Sequence, residues 1–276
     1  MLRKLMKYDF KTVFKLWWIG AVTTFALSFA GGFLGEFFVT EREIPEPILV
    51  VAIFGLVLVY IGFLAFGIFG DILVYLRYYK NLFTDEGYLT FTLPVKRQSI
   101  LNSKIFLGLS TSVLSSTVIT IDTIIVALIS YRSEIFTQQF FKDVMDFAKD
   151  FFDDKYYYFF LIYLIEALVI LLLVVLASIL FAYACIAVAS VVVKKAKILV
   201  AIGIYYGATS IISFILTIFY LFGITSLFDL LFELSELATL NSVWILLLMI
   251  IFVLCAVCCL LYYVTHWCLD KKLNLA

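Results

Sequence analysis

Residues 167–189 read ALVILLLVVLASILFAYACIAVA and contain no charged side chain. A helix of this length crosses a hydrocarbon layer of about 30 Å, since each residue adds about 1.5 Å. Across all 276 residues, 65% are hydrophobic, 14% are charged and the mean hydropathy is +1.13. Soluble domains are roughly 45–50% apolar and about 25% charged. Because the apolar runs are continuous and do not alternate, they predict an all-α polytopic membrane protein and exclude a barrel.

Six stretches are apolar over the about 20 residues that a membrane-spanning helix needs. They lie at approximately 15–35, 48–70, 105–129, 159–189, 198–221 and 243–265. The fourth belongs to an apolar run over 156–193, which would be about 57 Å long as one helix. Such a helix has to tilt, to break or to extend beyond the membrane, and we expect an extension on the outer side.

The basic residues lie mainly on one side of the predicted membrane. Most of the 20 Lys and Arg fall in the N-terminal segment, the loops after the second and fourth spans, and the C-terminal tail. Because Lys and Arg are enriched in cytoplasmic loops, these segments are predicted to be cytoplasmic. An even number of spans also brings the two termini to the same side, which favours a cytoplasmic location for both.

Four segments outside the spans are predicted to have their own structure within a single membrane domain over 1–276. Residues 1–14 have the pattern of a basic amphipathic helix on the inner membrane surface. Residues 71–104 form the longest cytoplasmic loop. Residues 131–157 form an external segment that is helical and partly amphipathic, and 222–242 form short, re-entrant-like helices that dip into the outer interface.

Two acidic residues, Asp122 and Glu166, lie inside the apolar spans. Charged groups within a membrane are unfavourable, so such residues are candidates for a translocation pathway. Both are predicted to lie in the outer half of the membrane, where they would line a water-filled vestibule or contact a cationic substrate. The alternative is a structural role, in which each acid is protonated or hydrogen-bonded to nearby hydroxyl groups.

Sequence signatures of catalysis are scarce. The single histidine, His266, is expected to be a polar residue near the inner end of the last span. The sequence has no Gly-rich phosphate loop and no Walker sequence. We therefore expect that the chain is not an enzyme and that it binds no cofactor itself. Cys255, Cys258 and Cys259 have a metal-like spacing without a second ligand pair, and we expect them to pack as small apolar groups.

The cytoplasmic loop contains the sequence EGYLTFTLPVKR at 86–97. Gly87 and Pro94 are expected to interrupt regular structure in this loop. Pro94 can also begin the helix that follows, because proline is favoured in the first turn of a helix. A compact loop with an exposed Tyr-Leu-Thr-Phe face is suited to docking into a groove on a soluble partner. The alternative is a basic juxtamembrane loop that only sets the topology.

This loop resembles the one between the second and third spans in permease subunits of type-2 ABC exporters, in particular the small permeases of Gram-positive bacteria. The similarity lies in Glu86, Gly87, the turn Leu93-Pro94-Val95, the pair Lys96-Arg97, and Lys104 at the next span. At the level of a specific sequence motif, the resemblance covers only residues 86–104. In architecture it extends to the N-terminal amphipathic helix, the six spans and the short outer helices.

The resemblance implies that 86–104 holds a coupling helix that docks on a separate ATPase subunit in the bacterial cytoplasmic membrane. Two permease chains, identical or related, and two ATPase chains would form the exporter, with ATP and Mg on the ATPases. The implied docking residues are Glu86, Gly87, Tyr88, Leu89, Thr92, Leu93, Pro94, Lys96, Arg97 and Lys104. The substrate stays open among peptides, lipids, drugs and ions.

Two other functions are compatible with the sequence. A self-contained secondary carrier or channel would use Asp122 and Glu166 as its ion-handling residues. An intramembrane enzyme is disfavoured, because paired catalytic side chains are lacking. An exporter subunit needs a soluble ATPase and a carrier does not, so the presence of that partner distinguishes the first two functions.

Overall fold

The structure is a computed structural model that describes residues 2–39, 45–92, 96–132, 137–153, 157–193, 196–219 and 239–271. Within these ranges the chain is helical and has no strand, which confirms the all-α prediction. The helices are α1 (Leu2–Val39), α2 (Glu46–Phe83), α3 (Asp85–Thr92), α4 (Arg97–Ser130), α5 (Gln138–Asp153), α6 (Tyr157–Val192), α7 (Lys197–Phe219) and α8 (Thr239–Lys271).

Six of these helices are long and apolar enough to cross a membrane, which confirms the predicted number of spans. They are the segments Met6–Val39, Glu46–Phe83, Arg97–Ser130, Tyr157–Val192, Lys197–Ile218 and Leu247–Asp270. The chain is thus a multi-pass membrane protein. The fourth span is one unbroken helix of 36 residues, about 54 Å long, which leaves a tilt or an extension beyond the membrane among the three alternatives. The helices α1 and α2 have 38 residues each and are longer still.

Two segments differ from the sequence prediction because helices continue past the predicted span boundaries. Residues 2–14 are the first turns of α1 and not a separate helix. The predicted loop 71–104 is largely helical, since α2 continues to Phe83 and α4 begins at Arg97. The continuation of α2 follows from its buried row Val74, Tyr78 and Leu82, spaced by four residues. The predicted outer helices at 222–242 fall largely outside the described residues.

The chain divides into two compact units. Unit 1 consists of residues up to Arg77 together with Phe106–Tyr157, and unit 2 consists of Tyr78–Ile105 together with the residues from Tyr158 onward. Both α2 and α4 therefore contribute to each unit. The predicted docking loop belongs to unit 2, with α6, α7 and α8.

In unit 1, α1 and α4 run parallel while α2 runs antiparallel to them. The contacts between α1 and α4 advance in the same direction along both helices: Phe10 with Phe106, Trp17 with Ser115, and Gly32 with Ile129. The contacts between α1 and α2 advance in opposite directions: Asp9 with Arg77, Gly20 with Phe66, and Gly31 with Val59. This alternation is what three successive membrane crossings require.

Small residues bring α1 and α4 close together near the end of α1. A Cβ atom added to Gly32 would lie 2.6 Å from Cβ of Ile129, and one added to Gly35 would overlap the Ser130 hydroxyl. The same hydroxyl lies 3.2 Å from the Gly32 carbonyl oxygen and 2.8 Å from the Val126 carbonyl oxygen of its own helix, so these two acceptors share its one proton. In lipid, apolar burial does not drive helices together, so close packing and interhelical hydrogen bonds have to do so.

We expect Gly32→Ala to destabilise unit 1, because the added methyl group forces α1 away from Ile129. Overpacking of this kind costs about 1–3 kcal/mol. The matched control is Gly203→Ala in α7, where the added Cβ meets nothing within 4 Å. Both variants gain the same helix propensity, so the difference between their unfolding temperatures in detergent reports the α1–α4 contact. Equal unfolding temperatures would contradict the packing described here.

Candidate functional site: the loop and helix ends of residues 78–105

The candidate site is the part of the chain that joins α2 to α4 on one side of the membrane, residues 78–105, here called the docking segment. It consists of the end of α2, the short helix α3 and the first turns of α4. Glu86, Thr92 and Lys96 are exposed. Tyr88 and Leu89 lie in α3, whereas Leu93 and Pro94 lie outside the described residues.

Gly87 makes the tight connection between α2 and α3 possible. Its N–H donates to the Thr84 carbonyl oxygen at 2.8 Å. A Cβ atom at this position would lie 2.6 Å from the Leu82 carbonyl oxygen and 2.9 Å from the Leu82 carbonyl carbon. Because backbone atoms cannot give way as a flexible side chain does, only glycine fits here. The glycine that the sequence suggested as a docking residue therefore shapes the turn and is itself buried.

Arg97 joins the start of α4 to the end of α8. Its Nη1 donates to the carbonyl oxygens of Leu269 at 2.6 Å and Asp270 at 2.8 Å. The last carbonyl groups of a helix have no partner within the helix, so the guanidinium group acts as its cap. The Asp270 carboxylate lies 3.6 Å from the same nitrogen and 3.2 Å from Nδ1 of His266. Arg97, predicted to contact a partner protein, is thus engaged within its own chain.

A second link between α4 and α8 lies about one turn deeper. The Tyr262 hydroxyl donates to Oδ1 of Asn102 at 3.0 Å. Neither residue was a sequence candidate, since nothing in the spacing of the two spans indicates that these positions meet. Together with the Arg97 contacts, this hydrogen bond attaches the first two turns of α4 to the last turns of α8.

A stacked pair of tyrosines attaches the docking segment to α6. The rings of Tyr78 and Tyr183 lie 3.9 Å apart with an interplanar angle of 13°, and both side chains are fully buried. The Tyr183 hydroxyl donates to the Lys104 carbonyl oxygen at 2.9 Å. Lys104 is also fully buried, so it belongs to the packing of unit 2 and not to the surface that a partner would touch.

The two membrane acids lie in different units, Asp122 in unit 1 and Glu166 in unit 2. Asp122 is fully buried, and neither of its carboxylate oxygens has a hydrogen-bond partner among the described residues. The Thr24 hydroxyl on α1 is the polar group next to the Asp122 carboxyl, and it also lies 3.0 Å from the Ala21 carbonyl oxygen of its own helix. Glu166 is buried, and its Oε2 likewise has no partner in the described part of the chain.

The remaining sequence candidates were the clustered cysteines of α8. Within the described ranges, no group of three or more His, Cys, Asp and Glu side chains is arranged to hold a metal ion. Of the three clustered cysteines, Cys258 is buried and its thiol contacts the Leu173 carbonyl oxygen at 3.8 Å, while Cys255 and Cys259 are exposed on α8. The arrangement at residues 78–105 is suited to transmitting force between a surface loop and two spans.

We expect Arg97→Ala to loosen the end of α8, because the terminal carbonyl groups lose their cap. A hydrogen bond to a charged group contributes about 1.5–3 kcal/mol, so local opening should increase about tenfold or more. Hydrogen exchange of the amides in the last two turns of α8 measures this opening. The control is Lys96→Ala, which removes an adjacent exposed charge. If exchange rose equally in both variants, Arg97 would not be the cap.

No known protein family, curated protein or solved structure matches this chain.

Proposed function

We propose that this chain is the membrane-spanning subunit of an ATP-driven exporter and that its docking segment receives the motion of a separate ATPase subunit. The supporting observation is the set of contacts that attach residues 78–105 to α6 and α8. A force applied to α3 from outside the membrane reaches α8 through Arg97 and Asn102. It reaches α6 through the Tyr78–Tyr183 stack.

The surface chemistry of the docking segment fits a soluble protein partner. Glu86 and Thr92 in α3 and Lys96 just before α4 present exposed polar and charged groups of both signs. A surface with charges of both signs suits specific recognition, because charge complementarity discriminates between partners. The buried members of the segment, Gly87 and Lys104, hold its shape.

The proposed transporter has a defined orientation in the membrane and a defined set of subunits. The distribution of Lys and Arg favours cytoplasmic termini, so the docking segment would face the cytoplasm, where ATP is available. The basic first turns of α1 would lie at the inner membrane surface. Two such chains and two ATPases, which carry ATP and Mg, would form the transporter in the bacterial cytoplasmic membrane.

The central experiment is affinity purification of the tagged chain from native membranes in mild detergent, followed by mass spectrometry. We expect a near-stoichiometric soluble protein with a Walker sequence. The charge reversals Glu86→Lys and Lys96→Glu, made together, should remove most of this protein. The control is the reversal of Asp146 and Lys149, an exposed ion pair on α5. An intact, monodisperse preparation without an ATPase would contradict the proposal.

A cation-coupled carrier or channel is the second candidate, and the burial of Asp122 without a hydrogen-bond partner favours it. A carboxylate in apolar surroundings has to bind a proton or another cation, or it strongly destabilises the fold. This function needs no ATPase. The purified chain alone would then support cation flux in proteoliposomes, and Asp122→Asn would abolish that flux. An exporter subunit on its own would leave the vesicles impermeable.

A further inference from the structure

The helix α5 separates its side chains sharply into two halves. Two adjacent rows along the helix are apolar, whereas the opposite half carries the charged and amide groups. The apolar rows are Phe140, Val144, Phe147 and Phe151, and Phe141, Met145, Ala148 and Phe152. Such a division over four turns is the pattern of a helix that lies at a boundary between water and an apolar phase.

The apolar half of α5 is exposed, whereas polar side chains on the other half contact one another. Met145 is 63% exposed, Phe147 71% and Phe152 63%. On the polar side, the Gln139 amide donates to Asp143 at 3.0 Å, and Lys149 pairs with Asp146 at 3.3 Å. Burial of a large apolar side chain is favourable by about 1.5–3 kcal/mol. We therefore expect lipid or another protein surface to cover a face of this size.

The position of α5 in the chain identifies that cover. It lies between the spans α4 and α6, and only residues 154–156 separate its last residue from Tyr157, where the fourth span begins. Four extended residue intervals reach about 14 Å, so the end of α5 lies near the level at which α6 enters the membrane. The rings of Phe151 and Phe152 lie 5.5 and 5.1 Å from the Tyr157 ring. The apolar face therefore continues into the start of a lipid-embedded helix.

We propose that α5 is an interfacial helix that lies flat on the membrane, with its phenylalanine-rich face in the lipid of the leaflet where α4 ends and α6 begins. Phenylalanine is a usual residue of the apolar face of such interfacial helices. The placement follows from the spans and from the exposed face, and it does not depend on the exporter proposal. Thr137 fixes the start of the helix, since its hydroxyl accepts the Phe140 N–H at 3.3 Å.

The charges of α5 specify which lipids it needs. Its sequence has Lys142 and Lys149 against the acids Asp143, Asp146, Asp150 and Asp153, so the polar half is net negative. Attraction to anionic headgroups, which holds basic interfacial helices on membranes, is therefore not available here. Apolar burial alone has to hold α5, and a bilayer of zwitterionic lipid should be sufficient.

The test places a bimane fluorophore on either half of α5 in the full chain, reconstituted in phosphatidylcholine vesicles. Val144→Cys carries the probe on the apolar half, and the control Asp146→Cys carries it on the opposite side. The exposed native thiols are first removed with Cys255→Ala and Cys259→Ala. A nitroxide attached to the upper acyl chain should quench the probe at 144 several-fold more than at 146, and aqueous iodide should show the reverse order.

Two results would overturn the proposal. Equal access of iodide to both positions would mean that the apolar half faces water. Protection of position 144 from both quenchers at high lipid dilution would mean that a second copy or another part of the chain covers it. As a further check, added phosphatidylglycerol should leave the quenching unchanged, and a requirement for anionic lipid would contradict the charge argument.

Discussion

Each backbone N–H and C=O group inside a bilayer has to find its partner within the protein, because lipid offers none. In the described residues this constraint is met by helices that run far beyond the about 30 Å of hydrocarbon, as α1, α2 and α6 do. It leaves only the helix ends with unpaired groups. At the end of α8 those groups are the carbonyls of Leu269 and Asp270, and Arg97 satisfies them from the first turn of α4. The need to cap one helix therefore ties a surface loop to a span.

Both units combine aromatic and polar contacts between helices, and unit 1 adds close packing at glycine. In unit 1, glycines and hydroxyl residues allow α1 and α4 to approach closely, as in Gly32, Gly35 and Ser130. In unit 2, the docking segment is held by aromatic stacking and by polar contacts at helix ends. Close backbone packing resists deformation along its length. Contacts at the ends of helices can transmit a displacement of the loop to α6 and α8, which is what a coupling element has to do.

Hydrophobicity predicted the fold class and the number of spans, because the cost of placing polar groups in lipid is large enough to override local preferences. The boundaries of the helices were harder to predict from the sequence. Tyr78 and Leu82 continue the buried row of α2 past the apolar run, and that spacing of four residues was a usable signal. The meeting of Asn102 with Tyr262 had no signal in the sequence, since it depends on how two distant helices pack. For the same reason, Arg97 and Lys104 resembled surface docking residues until the fold placed their partners inside the chain.

The measurement that tests the central claim most directly is photo-crosslinking from position 86 in native membranes, with a photoreactive amino acid in place of Glu86 on the exposed side of α3. Position 146 on α5, which follows the other end of the span α4, is an equally exposed control. If the docking segment binds an ATPase subunit, position 86, and not position 146, forms an adduct with a soluble ATP-binding protein. A well-folded chain that forms no adduct from position 86, or the same adducts from both positions, would contradict it.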